Sequence, residues 1–261
     1  MEHEYVDQGS GKPVVLIPGM EGTKEFWRFQ QAVLRARYRT IVVEYPRRRP
    51  SLGTTVADYA VHVTELLDAL GVARAAFVGE SFGGVIAQEI ATSHAHRVEA
   101  LVLCNTMDRA RYDHFGLNMF TLATVVHMSA FALPMRYRRP ILRWVGSHRG
   151  FVLDPSPGNE ALIDYILEYG TLHGLGANID RMIAGSKARY AEKLASITAP
   201  TLLLRGTEDR VVSHATMEAM KARIPGAELA LIEGGGHCCQ VTLPDETNRV
   251  LVGWLERIGY R

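Results

Sequence analysis

Phe77-Val78-Gly79-Glu80-Ser81-Phe82-Gly83-Gly84 decides how the rest of the chain is read. The stretch has the spacing Gly-x-Ser-x-Gly and joins an apolar strand-like run to an apolar helix-like run. A serine that attacks a carbonyl must project from a sharp turn at the end of a strand. Gly79 and Gly83 leave room for the backbones on either side of such a turn, where a side chain would clash. The next helix then starts beside the serine and points its free N–H groups and positive dipole end at it. The other reading of Ser81 is a cap on that helix. Deciding between them requires an acid, a histidine and an oxyanion donor in the right places.

The flanking segments alternate. Residues 13–19 (Pro-Val-Val-Leu-Ile-Pro-Gly) are a continuous apolar run, as expected of a strand buried on both faces of a parallel sheet. Met20-Glu21-Gly22-Thr23 reads as a loop. Residues 24–36 read as a helix with Trp27, Val33 and Leu34 on its apolar face. A second buried strand covers 40–45 and stops at Pro46. Residues 56–70 are an amphipathic helix ended by Gly71. Strand 75–80, helix 82–94 and strand 98–105 follow. Strand and helix alternating in this way predict a parallel sheet with right-handed crossovers.

The alternation breaks near residue 110. Residues 112–190 contain no buried-strand pattern, and helix-like pieces fall near 159–173 and 176–193. This segment reads as a helical insertion that covers something. Met119, Phe120, Met128 and Phe131 are its candidates for contact with an apolar ligand. Their alternative role is to fill the insertion's own core. The sheet pattern resumes at Pro200–Gly206, followed by helix 213–223, strand 227–232 and helix 244–258. That makes at least six strands, with residues 3–7 as an added edge strand. Arg47-Arg48-Arg49 reads as a solvated loop, and alternatively as an anion-binding lip.

Two segments after the insertion carry chemistry. Gly206-Thr207-Glu208-Asp209 follows one strand directly, and Gly234-Gly235-Gly236-His237 follows the last. In a parallel sheet all strand C-terminal ends share one edge, so Ser81, Asp209 and His237 fall on that edge. A serine hydroxyl is weakly nucleophilic at neutral pH. Histidine can take its proton and pass it to a leaving group, and a carboxylate can hold the imidazole in the right tautomer. Glu208 and Asp108 compete with Asp209 for the acid's role. The oxyanion needs two N–H donors. Phe82, directly after the serine, supplies one, and Met20 is assigned the other by position alone. Cys238 and Cys239 match no zinc spacing and read as small buried hydrophobes, so neither metal nor cofactor is expected.

Composition bounds the remainder. The chain has 261 residues, 47% hydrophobic and 22% charged, as expected of one globular domain. Its net charge of +1 suggests no nucleic-acid or anionic-membrane partner. No apolar run approaches the ~20 residues of a membrane span, and Met1-Glu2-His3-Glu4 lacks the pattern of a signal peptide. Three cysteines without framework spacing suit a reduced, cytoplasmic setting. Oligomeric state is not legible.

With the motifs Gly79–Gly84, Gly206–Asp209 and Gly236-His237 in place, nearly the whole chain resembles the α/β-hydrolase superfamily, in its serine-hydrolase branch. The order Ser81, Asp209, His237 is the order of that family's triad. The resemblance implies an α/β fold: a mainly parallel eight-stranded sheet, helices on both faces, and a helical cap inserted after the sixth strand. The core would then be 1–111 and 191–261, and the cap 112–190. Family members often carry His-Gly before the oxyanion residue, where this chain has Pro18-Gly19-Met20. Leu16–Thr23 and Ala100–Thr106 resemble maspardin, a relative regarded as a binding protein, which lacks the full triad. The resemblance therefore implies a carboxylesterase-like enzyme acting on a small ester, lactone or thioester with water. Its alternatives are a non-catalytic binding protein, or carbon–carbon bond hydrolysis by the same triad.

Overall fold

A computed structural model describes residues 4–47, 51–109 and 172–261, with short pieces at 133–134, 136–137, 139–141, 164–165 and 168–170. Most of the expected insertion, including Met119, Phe120, Met128 and Phe131, lies outside the described residues.

Seven strands form one sheet: β1 (Tyr5–Gln8), β2 (Pro13–Ile17), β3 (Arg39–Val43), β4 (Ala75–Glu80), β5 (Val98–Cys104), β6 (Thr201–Gly206) and β7 (Glu228–Ile232). Their order is β1-β3-β2-β4-β5-β6-β7. β1 pairs antiparallel with β3, and every other pair is parallel. The expectation of eight strands is corrected to seven among the described residues. An eighth would have to pair on the outer edge of β1 or β7, and the described residues supply none. The insertion accordingly falls between β5 and β6.

The apolar runs of the inner strands follow from burial on both faces. Alternate residues feed two cores. Val15, Ile17, Ile41, Phe77, Leu101 and Leu203 face α2 (Val56–Ala69), α3 (Phe82–Ser93) and α5 (His214–Arg223). Val14, Leu16, Val42, Val78, Val102 and Leu204 face α1 (Arg28–Leu34) and α7 (Pro244–Arg257). Trp27 and Trp254 close that second face. Each such side chain, fully buried, contributes about 1.5–3 kcal/mol of transfer free energy.

Local signals set the helix ends. The Asp58 carboxylate accepts from the Thr55 N–H (2.7 Å) at the start of α2. Pro244 opens α7, where its missing N–H costs nothing. Two expectations change in detail. The helix predicted over 24–36 divides into a 3₁₀ turn, Lys24–Trp27, and α1, and Val33 is exposed rather than part of the apolar face. The piece predicted at 176–193 is α4, Gly174–Ser186. α4 packs on α2 and α3, directly over the C-terminal edge of the sheet. α6 is the single turn Cys239–Thr242. No helix among the described residues is long and apolar enough to cross a membrane.

Candidate active site

β4 ends at Glu80, and Ser81 takes φ 51° and ψ −117° before α3 begins. A positive φ at a non-glycine residue costs on the order of 1–3 kcal/mol and is tolerated only where the surroundings impose it. Here the surroundings do. The Ser81 N–H donates to the Cys104 carbonyl (2.9 Å), and the Thr106 hydroxyl donates to the Ser81 carbonyl (2.6 Å). A β-carbon on Gly79 would collide with the Gly83 backbone, and one on Gly83 with the carbonyls of Ile17 and Pro18. The two glycines thus set the closeness of the turn, as their spacing suggests. Ser81 stands at the N-cap position of α3, yet its side chain makes no cap hydrogen bond.

That side chain turns instead to His237. Ser81 Oγ lies 3.0 Å from His237 Nε2, and His237 Nδ1 lies 3.0 Å from Asp209 Oδ2. The other Asp209 oxygen accepts from the Val211 and Val212 N–H groups at 2.7 and 3.0 Å. Arg205 donates to the Asp209 carbonyl (2.7 Å) and the Val212 carbonyl (2.9 Å), fixing the loop that carries the acid. With Nδ1 donating to Asp209, Nε2 is left as the acceptor for the Ser81 hydroxyl. Asp209 is therefore the acid brought to His237. Glu208 is exposed beside it, while Asp108 is buried elsewhere, 3.6 Å from Arg223.

The loop after β2 comes to the same place. Tyr45 donates its hydroxyl to the Pro18 carbonyl and its N–H to the Gly22 carbonyl. The Gly19 N–H donates to Glu21 Oε1 (2.9 Å), and the Gly22 N–H to the Gly19 carbonyl (3.2 Å). Neither the Met20 nor the Phe82 N–H donates to an acceptor among the described residues. Gly83 abuts Ile17 and Pro18, so the start of α3 and this loop are in contact.

Sequence reading missed several residues that build the site. Asn105, fully buried with φ 42°, donates to the His237 carbonyl (2.7 Å) and accepts from the Gly206 N–H (2.9 Å). It ties the ends of β5 and β6 to the histidine loop. Asparagine is the non-glycine residue best suited to that backbone region, which was the one available signal. Glu80 and Glu21 both lie against the Gly19 α-carbon. Glu80 Oε1 is 3.6 Å from His237 Nε2, and Glu80 Oε2 is buried without a hydrogen-bond partner among the described residues. Burial, then the nearby Glu21 and Asp209 carboxyls, push Glu80 well above the usual carboxylate range. Burial likewise raises Glu21, against the pull of backbone N–H groups and Arg181. The protonated acid is thereby favoured at a position beside the imidazole.

Cys104, Cys238 and Cys239 are free and buried behind the histidine, with Asn105 donating to Cys239 Sγ (3.2 Å). Burial pushes all three thiols up, Cys239 to about 12.

Ser81 Oγ, His237 and Asp209 thus lie in one hydrogen-bonded line, an arrangement that could serve as nucleophile, base and orienting carboxylate. Comparison with known proteins gives the same direction. Residues 14–250 match the model of the alpha/beta hydrolase family. A protein of Serratia proteamaculans named "Putative carbamate hydrolase RutD" is 31% identical over 259 residues, covering 93% of this chain and 90% of that one. Among solved structures, a thermophilic esterase from Thermogutta terrifontis superposes with a TM-score of 0.83 at 20% identity, over 98% of this chain and 93% of that one. Est816, described as an N-acyl homoserine lactone degrading enzyme, has a TM-score of 0.75 at 28% identity, over 96% of each chain.

Proposed function

The chain belongs to the alpha/beta hydrolase family, and we propose that it is a serine hydrolase cleaving a carboxylic ester or lactone through an acyl-enzyme. The reading rests on one observation, the unbroken line from Ser81 Oγ through His237 to Asp209 at 3.0 and 3.0 Å.

In this mechanism His237 Nε2 takes the Ser81 proton as Oγ attacks the carbonyl. Asp209 keeps Nδ1 protonated and stabilises the imidazolium that forms. The Met20 and Phe82 N–H groups receive the oxyanion of the tetrahedral intermediate. His237 then protonates the leaving oxygen, and water attacks the acyl-enzyme with the same histidine as base. We further propose that the segment 112–190 serves as a cap over this site. A reduced, cytoplasmic setting suits the three free thiols.

A carbamate is the second substrate class, favoured by the 31% identical relative's name. Its chemistry differs only in the nitrogen beside the carbonyl, and the same groups serve it. Thioesters belong on the same panel.

A fluorophosphonate probe tests the reading. The wild-type chain is expected to be labelled once, at Ser81, and Ser81→Ala to abolish both labelling and hydrolysis, with kcat lower by about 10⁴–10⁶-fold. Steady-state rates across p-nitrophenyl esters, lactones, carbamates and vinylogous diketones then rank the classes. A wild-type chain that takes no label and hydrolyses none of them would be a binding protein. A preference for the diketones would move the chemistry to carbon–carbon cleavage.

A further inference from the structure

Arg181 has no part in the mechanism above, yet it is fully buried. Taking a guanidinium out of water costs several kcal/mol, and the cost is usually offset by a carboxylate partner. No carboxylate hydrogen-bonds to Arg181 among the described residues. Its Nη1 instead donates to the Met20 carbonyl (2.7 Å) and the Glu21 carbonyl (2.9 Å), and also faces Asn178 Oδ1 (3.3 Å). We propose that Arg181 is a positioning residue that holds the Met20 N–H in place to receive the oxyanion. The inference rests on the serine-hydrolase reading of Ser81.

Backbone accounting carries it. The Met20 N–H belongs to the peptide plane between Gly19 and Met20, and among the described residues that plane's carbonyl is held by the Gly22 N–H alone (3.2 Å). The two following planes have their carbonyls fixed by one guanidinium. Gly22 has φ 73°, and a β-carbon there would run into the guanidinium carbon of Arg181. Glycine at 22 thus lets the clamp lie flat on the loop. The face of the guanidinium sits 5.3 Å from the Tyr45 ring centroid, the same tyrosine that holds the Pro18 and Gly22 carbonyls.

The arginine is itself fixed from two sides. On α4 its neighbour Asp180 accepts from the Ser51 N–H (2.9 Å), the Thr54 hydroxyl (2.8 Å) and the Tyr59 hydroxyl (2.8 Å). Arg181 Nη2 meets His173 Nδ1, and His173 Nε2 lies 3.0 Å from Glu44 Oε1. With Arg181 donating to Nδ1, His173 must carry its proton on Nε2, toward Glu44. Lys24 completes the line on the other Glu44 oxygen (2.5 Å). Burial works against ionisation of Glu44, but the hydrogen bonds from His173 and Lys24 outweigh it and hold its carboxyl down at about 2. A chain of contacts from Lys24 to Arg181 thus ends on the oxyanion loop.

Arg181→Lys keeps the charge and loses the two-pronged grip, and Arg181→Met removes both. With a p-nitrophenyl ester, kcat is expected to fall about 10-fold for Lys and about 100-fold for Met, as when an oxyanion donor is lost. KM is expected to stay within about twofold, since the ground-state carbonyl makes little use of the donor. The rate of fluorophosphonate labelling at Ser81 should fall in step with kcat. Gly22→Ala attacks the same contact from the loop side and decides the question if an Arg181 variant does not fold. It should lower kcat at constant KM, and the Gly22→Ala, Arg181→Lys double variant should lose no more than the worse single one. Unchanged kcat with a lowered Tm, a rise in KM alone, or additive losses would overturn the clamp while leaving Ser81 the nucleophile. A wild-type chain that neither labels nor turns over would remove the serine-hydrolase reading, and the clamp with it.

Discussion

The two halves of the candidate site are held in opposite ways. The turn at Ser81 is permitted by its neighbours Gly79 and Gly83, and Cys104 at the end of β5 and Thr106 just beyond it secure it. The loop from Pro18 to Gly22, which under the proposed function contributes one backbone donor, is held by residues outside it: Tyr45 on one side and Arg181 on the other. The first half is a local conformational decision that packing then locks. The second has a local turn, with Gly19 donating to Glu21 and Gly22 to Gly19, and distant side chains hold its remaining carbonyls from outside. Damage to the two should therefore look different. Changes at the turn act through sterics and affect folding and rate together. Changes at the loop's supports act through one or two hydrogen bonds and should affect rate more than stability.

The largest combined effect on folding and rate is expected from Gly79→Ala, whose added methyl meets the Gly83 backbone. Fluorophosphonate labelling should slow about 100-fold and Tm should drop by roughly 5–10 °C. A variant that folds normally and labels at the wild-type rate would break the steric account of the turn. Asn105→Ala comes next, because it strands the Gly206 N–H and the His237 carbonyl, each worth about 1–3 kcal/mol when buried unpaired. Thermal unfolding should show a loss of roughly 5 °C, with kcat down about 10-fold as the histidine loop loosens.

Tyr45→Phe removes one hydrogen bond to the loop and leaves the ring under Arg181. A net hydrogen bond of about 1 kcal/mol predicts a kcat lower by about fivefold, read in the same ester assay, with Tm nearly unchanged. A Tm loss as large as that of Gly79→Ala would erase the contrast between the halves.

Glu80→Gln is expected to have the smallest effect on rate and an informative one on stability. The Glu80 carboxyl titrates well above its unfolded value. As pH rises past the unfolded pKa the unfolded chain releases this proton while the folded one keeps it, so the wild type loses stability with pH. The glutamine variant escapes that loss. Its Tm relative to wild type should rise as pH goes from 4.5 to 8. A gap that stays flat, or narrows with pH, would show that Glu80 is ionised in the folded chain.

Legibility in the sequence followed the same division. The turn is one contiguous motif, Asp209 comes soon after the buried strand β6 and His237 soon after the largely unburied edge strand β7, and the apolar runs of both strands were enough for chain order to put the two residues on one edge. Met20 could be assigned by position because a backbone donor needs no particular side chain. Arg181, Tyr45 and Asn105 could not be found in this way. Arg181 is 161 residues from the carbonyl it holds, and nothing in an arginine's neighbourhood along the chain announces that it will be fully buried. Glu80 sits inside the motif, but its burial against Gly19 depends on the approach of a loop that starts at the end of another strand. Val33 misled for the complementary reason. Helical periodicity grouped Val33 with Trp27 and Leu34 on one face, but the helix divides after Trp27, and while Trp27 and Leu34 are buried, Val33 is exposed.

The three cysteines give the chain a built-in clock. Thiolate is the form that reacts with disulfides and oxidants, and burial keeps Cys104, Cys238 and Cys239 from forming it. Their sulfurs line the far side of the histidine loop and the end of β5, where reagent enters only if that edge of the sheet comes apart. In native solution a chromogenic disulfide should therefore report the rate of opening rather than the chemistry of sulfur. Freshness of a preparation can be read from the same titration: thiols lost without unfolding would mark an edge that breathes, and thiols retained would mark one that stays shut.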